Sequence, residues 1–432
     1  MQHLGHDYAR YEAAAPVVLI AAGVLLSCAV PGMNPAPSPG TLPPPQQSGI
    51  EHVVVVTMEN RSFDHFLGWL PGADGKQAGI QFTDSAGAAH ATHPLAPDFT
   101  GCPHADPDHS YNGARTEYDG GKMDGFLRAG SNDVFSLGYY AEQDLPFLSA
   151  LARNYTTLDR CFCSILGPTF PNRFFLHSAN TDRVTDTIDL TDLPTIWDRL
   201  AAAHVDGKYY YSNVPFLAFW GPKYVGITAS YAQFLSDASS GKLPAVSFVD
   251  PEFTIQDLDA ANDDHPHSDV RRGDAFLAQT FHALASGPAW SSTVLIVTFD
   301  EWGGFFDHVP PPRAAPPSGD PDTDVVNGKV LLGFRVPVVI ASPFSVGNTQ
   351  APRVQTAVFD HTSILKLIEW RWGLQPLTAR DASSDVGNLA LALNFSSPNA
   401  SVPELPSPAA PASHVCPEGV LDGTGLSFPP LP

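Results

Sequence analysis

Two runs rich in β-branched residues, each passing without a break into a cluster of acids, restrict this chain more than anything else in it. Residues 50–58 read IEHVVVVTM and lead into Glu59-Asn60-Arg61-Ser62-Phe63-Asp64-His65. Residues 293–299 read TVLIVTF and lead into Asp300-Glu301-Trp302-Gly303-Gly304, with Asp307-His308 just beyond. A strand that is apolar at successive positions has to be covered on both faces, the situation of a parallel sheet lying between helices. Residues 245–249 (AVSFV) and 336–341 (VPVVIA) read as strands of the same kind. Stretches 145–155, 195–203, 269–286 and 361–372 have helical spacing with capping residues near their starts. The alternation predicts an α/β fold with a mostly parallel central sheet. Sheets of that class hold their chemistry just beyond the carboxyl ends of the strands, so the acid clusters are the first places to look.

The chain has 432 residues, ample for a large core, and 43% of them are hydrophobic. Only 16% are charged, against a usual share of about 25%. With 42 prolines, about twice the average share of roughly 5%, the connections are expected to be long, rigid and irregular. The formal net charge of −22 repels nucleic-acid phosphates, so no nucleic-acid partner is expected. It leaves room for a small phosphate ligand, because a metal ion or histidines can neutralise one site inside an acidic protein.

Residues 13–30 carry no charge and run directly into a proline-rich stretch. The run is shorter than the roughly 20 residues of a membrane span and contains Pro16, which favours an export signal. Leu25-Leu26-Ser27-Cys28 resembles a bacterial lipobox, with Cys28 as the lipid acceptor. The expected organisation is a signal and lipobox segment over 1–28, a Pro-rich linker over 29–49, a catalytic domain over 50–395 and a Pro/Ser-rich coil over 396–432. The expected location is outside the cytoplasm, as a cell-envelope lipoprotein. Cys161 and Cys163 are one residue apart, too close to join comfortably, so one of them is expected to bridge to Cys102 or Cys416. No pair has zinc-ligand spacing.

Hard oxygen donors from two neighbouring strand ends are a natural way to hold one divalent cation. Each acid cluster alone reads equally as a helix cap or a solvated strand end; two in equivalent positions favour a site. Gly303-Gly304 lets backbone come close to a ligand. In Gly167-Pro168-Thr169-Phe170-Pro171-Asn172-Arg173, Pro171 suits a first helical turn, which puts Thr169 near a helix N-terminus where amides favour phosphate. Thr169 is there either a cap or, when deprotonated, a nucleophile for phosphorus. Histidines come from Asp108-His109-Ser110-Tyr111 and from Asn262-Asp263-Asp264-His265-Pro266-His267. They can neutralise phosphoryl oxygens or protonate a leaving alkoxide.

Together these stretches resemble the phosphoesterases that include bacterial non-haemolytic phospholipase C, plant non-specific phospholipase C and a class of bacterial acid phosphatases. The matching segments are HVVVVTMENRSFDHFLG (52–68), DHSYNG (108–113), GKMDGF (121–126), LGPTFPNRFFLHSA (166–179), NDDHPHSDVRRGDAF (262–276) and TVLIVTFDEWGGFFDHVPPP (293–312). The resemblance implies an alkaline-phosphatase-like three-layer sandwich. It places Glu59, Asn60, Asp300 and Glu301 around a divalent metal (Ca²⁺, Mg²⁺, Mn²⁺ or Zn²⁺), Thr169 as nucleophile, and His109, His265 and His308 on phosphoryl oxygens or as proton donors. Asn172 and Arg173 are expected to bind phosphate. Trp302 departs from the family's usual histidine, which leaves the substrate class open between a phospholipid and a soluble phosphomonoester. A surface lipoprotein that binds phosphorylated ligands without turnover is the rival from another class, and a sulfatase is disfavoured because no Cys-x-Pro-x-Arg run is present.

Overall fold

The computed structural model describes residues 42–252, 261–347, 350–413 and Cys416. Its frame is an eight-stranded sheet. In chain order the strands are β1 (His52–Met58), β2 (Thr156–Leu158), β3 (Gly207–Tyr211), β4 (Thr228–Ser230), β5 (Val246–Val249), β6 (Thr293–Phe299), β7 (Val338–Ala341) and β8 (Arg353–Gln355). Across the sheet they lie in the order β8-β2-β7-β6-β1-β5-β3-β4. Only β7 runs against its neighbours β6 and β2; the other pairings are parallel. This matches the mostly parallel sheet expected from uninterrupted apolar strands. The four strands read from the sequence are β1, β5, β6 and β7, each starting up to two residues later than the apolar run.

The helices α1 (Phe63–Leu67), α2 (Tyr111–Tyr118), α3 (Pro146–Asn154), α4 (Thr169–Ser178), α5 (Ile196–Ala202), α6 (Tyr231–Ser240), α7 (Val270–Ala285) and α8 (Thr362–Trp372) flank it. Strands β1 and β6 pair from His52↔Thr293 to Met58↔Phe299, and every residue of β6 is buried. That register brings the two acid clusters out side by side. Strand β5, on the other flank of β1, ends at Val249 and passes straight into Asp250.

The disulfide joins Cys102 to Cys416, while Cys161 and Cys163 are buried free thiols. The expectation that one of the close pair would bridge outward is therefore corrected. Cys161 sits on a short strand paired with Phe359–Asp360, and Cys163 packs beneath Gly333, so both thiols point into core. Residues 396–413 have no helix or strand. Trp290 donates to the Ala400 carbonyl and Arg272 to that of Pro411, holding the segment on the surface of the sheet domain. Among the described residues no helix is long and apolar enough to cross a membrane. The lipobox at Cys28 lies outside the described residues.

Candidate active site

Three neighbouring strand ends converge. Glu59 follows β1, Asp300 follows β6 and Asp250 follows β5, and all three carboxylates reach one guanidinium, that of Arg173 on the second turn of α4. Arg173 Nη1 is 3.2 Å from Asp250 Oδ1, Nε is 3.4 Å from Asp300 Oδ2, and Nη2 donates to Glu59. Burial works against the charge on Arg173, but the carboxylates outweigh it and raise its pKa. Burial lifts Glu59 well above the ordinary carboxylate range against the pull of Arg173. It lifts Asp250 to about 6 and Asp263 to about 7.

Thr169 opens α4 beside this cluster. Its hydroxyl is 3.3 Å from Glu59 Oε2 and 3.3 Å from Asn60 Oδ1. Asn60 is held in place by its own amide, which donates to Asp300 Oδ1 at 3.2 Å, and it sits in the left-handed region at φ 51°, which asparagine tolerates. Gly303 explains how the second cluster approaches: at φ +66° a Cβ there would stand 2.1 Å from the Asn60 carbonyl oxygen. The close approach expected of Gly303-Gly304 is thus to the backbone of Asn60 and Pro107. Trp302 is fully buried and donates its indole N–H to Glu117 at 2.8 Å, so it packs behind the site.

His109 and His265 meet edge to face, with ring centroids 5.8 Å apart. Each bonds a backbone carbonyl through Nδ1, Pro107 for His109 and Pro266 for His265. His109 Nε2 is 3.9 Å from Glu301 Oε1, which links the pair to the second acid cluster. Their titrations are pushed apart. Burial disfavours the charge on both, but Asp106 and Asp186 reverse the outcome at His109 and raise it, whereas His265 falls well below the usual value, with the charge of His109 adding to burial. Asp106 completes a group with the two histidines whose donor atoms lie within 4.8 Å of one another.

His308 does not join them. It ion-pairs with Asp64 at 2.5 Å and Asp74 at 3.2 Å, beside Arg335, which bridges Asp64 and Asp307. Asn172 turns back on its own loop: its amide accepts from Ile165 N and donates to the carbonyls of Gly167 and Pro168, fixing the approach to Thr169. Arg173 faces the carboxylates. Three participants escaped the sequence reading, Asp106, Asp186 and Asp250. Asp250 had a signal, since its strand ends directly in an acid like the other two.

The donor set fits a hard cation. Glu301 Oε1, Asp250 Oδ2 and Asn60 Nδ2 are buried without a hydrogen-bond partner among the described residues. Carboxylate oxygens left this way are short of positive charge, which a divalent ion supplies.

The phosphoesterase family model matches residues 50–375. Over 95% of its length the chain is 33% identical to Phospholipase C A of Mycobacterium tuberculosis, covering 91% of that protein. It is 34% identical to Non-specific phospholipase C1 of Arabidopsis thaliana, over 78% of this chain and 70% of the other. A solved protein of the alkaline phosphatase superfamily from Vibrio parahaemolyticus overlaps 82% of this chain and 71% of its own at a TM-score of 0.37 and 10% identity. The family match and the relatives assign the chain to the phosphoesterase family, as a hydrolase of phosphoric esters.

Proposed function

We propose that the protein is an exported phospholipase C-like enzyme that cleaves phosphatidylcholine to diacylglycerol and phosphocholine through Thr169. The observation that carries this is the Thr169 hydroxyl at the head of α4, hydrogen-bonded to Glu59 and Asn60 at 3.3 Å each. Glu59 Oε2, which accepts the hydrogen bond of the Thr169 hydroxyl, takes its proton as Oγ1 bonds to phosphorus. The bond from phosphorus to the glycerol oxygen breaks, and protonated His109 gives that oxygen its proton. Water then attacks the phosphothreonine ester, His109 regains a proton from it, and Glu59 returns its own to Oγ1. Neutral His265 accepts a hydrogen bond from the attacking water through Nε2. Glu59, Asn60, Asp300 and Glu301 would hold a divalent cation, which would neutralise charge on the phosphoryl oxygens, and their oxygen donors suit Mg²⁺, Ca²⁺ or Mn²⁺. Arg173 pairs with the carboxylates of Glu59, Asp250 and Asp300 and holds them in place, and His308 belongs to a supporting ion-pair network.

Export is supported by the uncharged stretch at 13–30 and by the Cys102–Cys416 bridge, a feature of oxidising compartments. Lipidation of Cys28 would hold the enzyme at the membrane that contains its substrate. The test compares wild type, Thr169→Ser and Thr169→Ala on phosphatidylcholine, following diacylglycerol beside phosphate release from a simple monoester. Diacylglycerol is expected from wild type and in part from the serine variant, with a loss of at least about 10³-fold in the alanine variant. Phosphate without diacylglycerol would move the assignment to an acid phosphatase using the same residues.

A further inference from the structure

Helix α4 has no cap of its own: Pro168 occupies the N-cap and makes no side-chain bond there. Pro171 has no amide, so few N–H groups remain at this end for an anion. One of them is already taken. Asp186, on the loop after α4, accepts from the Phe170 amide at 2.7 Å, one residue from the nucleophile. Its carboxylate lines a cavity of about 530 Å³ together with Asp106, Asp108, His109 and Pro168. Its charge bears on both His109 and Glu301. Burial raises Asp186 to about 6 against the opposing pull of the Phe170 amide and His109, so it is largely ionised at pH 7.5. The region also holds an unanswered donor: among the described residues Asn60 Nδ2 is buried without a hydrogen-bond partner, on the same amide group whose oxygen receives the Thr169 hydroxyl.

A phosphoryl group attacked by Thr169 brings its non-bridging oxygens toward the amides next to that residue. A diester carries one negative charge there, and a monoester at pH 7.5 carries mostly two. The second charge meets a resident carboxylate that already holds the Phe170 N–H. From this geometry we infer that Asp186 is a specificity-determining residue, setting the centre to prefer singly charged phosphodiesters over doubly charged phosphomonoesters. The inference rests on the reading of Thr169 as nucleophile. Asparagine at this position keeps an oxygen for the Phe170 amide and removes only the charge. A purely structural cap would therefore leave the preference between the two esters unmoved.

The experiment measures kcat/KM of wild type and Asp186→Asn at pH 7.5 on bis(p-nitrophenyl) phosphate and on p-nitrophenyl phosphate, with calorimetric titration of inorganic phosphate into both proteins. The variant is expected to raise the monoester-to-diester ratio by about tenfold or more, and to bind phosphate more tightly by a similar factor, because it removes a unit negative charge from the amide next to Thr169. An unchanged ratio with an unchanged melting temperature overturns the inference, as does an equal fall on both esters. Undiminished turnover by Thr169→Ala would remove the nucleophile reading instead, and the phosphate titration would still decide the role of Asp186.

Discussion

Replacing Arg173 by methionine keeps a long stem and removes the one cation shared by Glu59, Asp250 and Asp300. Removing one member of a buried ion pair costs about 3–5 kcal/mol, because its partner is left uncompensated. With three partners left behind, roughly 4 kcal/mol is a reasonable loss wherever they stay ionised. They can escape by taking up protons. Burial places Asp250 at about 6 even beside the guanidinium, and Glu59 is raised too; without Arg173 both rise further. A folded pKa above the unfolded value means that the native state binds the extra proton. The stabilisation is complete below the unfolded pKa and is lost as pH rises through the folded one. In wild type the contribution of Asp250 is gone just above pH 6. In the variant that loss continues upward, at about 1.4 kcal/mol per carboxyl per pH unit. The stability gap between the two proteins should therefore be roughly 4 kcal/mol at pH 8 and less than half of that at pH 5. Urea unfolding in a chelating buffer, followed by tryptophan fluorescence at both pH values, measures it. A gap that is flat with pH, or widest at pH 5, would refute the electrostatic account and leave Arg173 a packing residue.

Further outcomes concern two glycines and the histidine pair. Gly303→Ala, with its Cβ 2.1 Å from the Asn60 oxygen, should cost about 2–4 kcal/mol and lower turnover. Gly79→Ala, also at positive φ but with nothing within 4 Å, should cost only about 1 kcal/mol, with urea unfolding of both variants as the measurement. Turnover that needs His109 protonated and His265 neutral should rise with pH through the depressed His265 and fall through the raised His109, giving a bell whose alkaline limb lies above 6.5. His109→Gln should abolish that limb and slow the reaction about 10²-fold or more, and an alkaline limb that survives unchanged would assign it to another group.

What could be read in advance was whatever a single stretch of chain determines. The β-branched runs made β1 and β6 legible, and the rule about strand ends then brought Glu59, Asn60, Asp300 and Glu301 together before any coordinates. What stayed hidden depended on partners distant in sequence. Arg173 looks like a phosphate ligand in its motif, yet its orientation is decided by three buried carboxylates from three different strands. His308 follows Asp300 closely in sequence, but the chain reverses at Gly303 and Gly304, both at positive φ, and carries it to Asp64. Asp186 lies in the stretch TDTIDLTD, where nothing local separates it from the acids at 189 and 192. The bridge of Cys102 to Cys416 stayed hidden for the same reason: local spacing drew attention to Cys161 and Cys163, which are free, while the true partners stand 314 residues apart.

That bridge also has a consequence for how the protein comes into being. Cys102 begins the short segment that delivers Asp106 and His109, and its partner stands 314 residues further along. A chain that emerges amino end first presents every strand of the sheet, and Thr169 itself, well before Cys416 appears. The segment carrying His109 can therefore be fastened only after the 314 residues that separate the two cysteines have left the ribosome and reached an oxidant. Thr169 and the strand-end carboxylates belong to an earlier stage of the protein's biogenesis than the anchoring of the segment that holds His109.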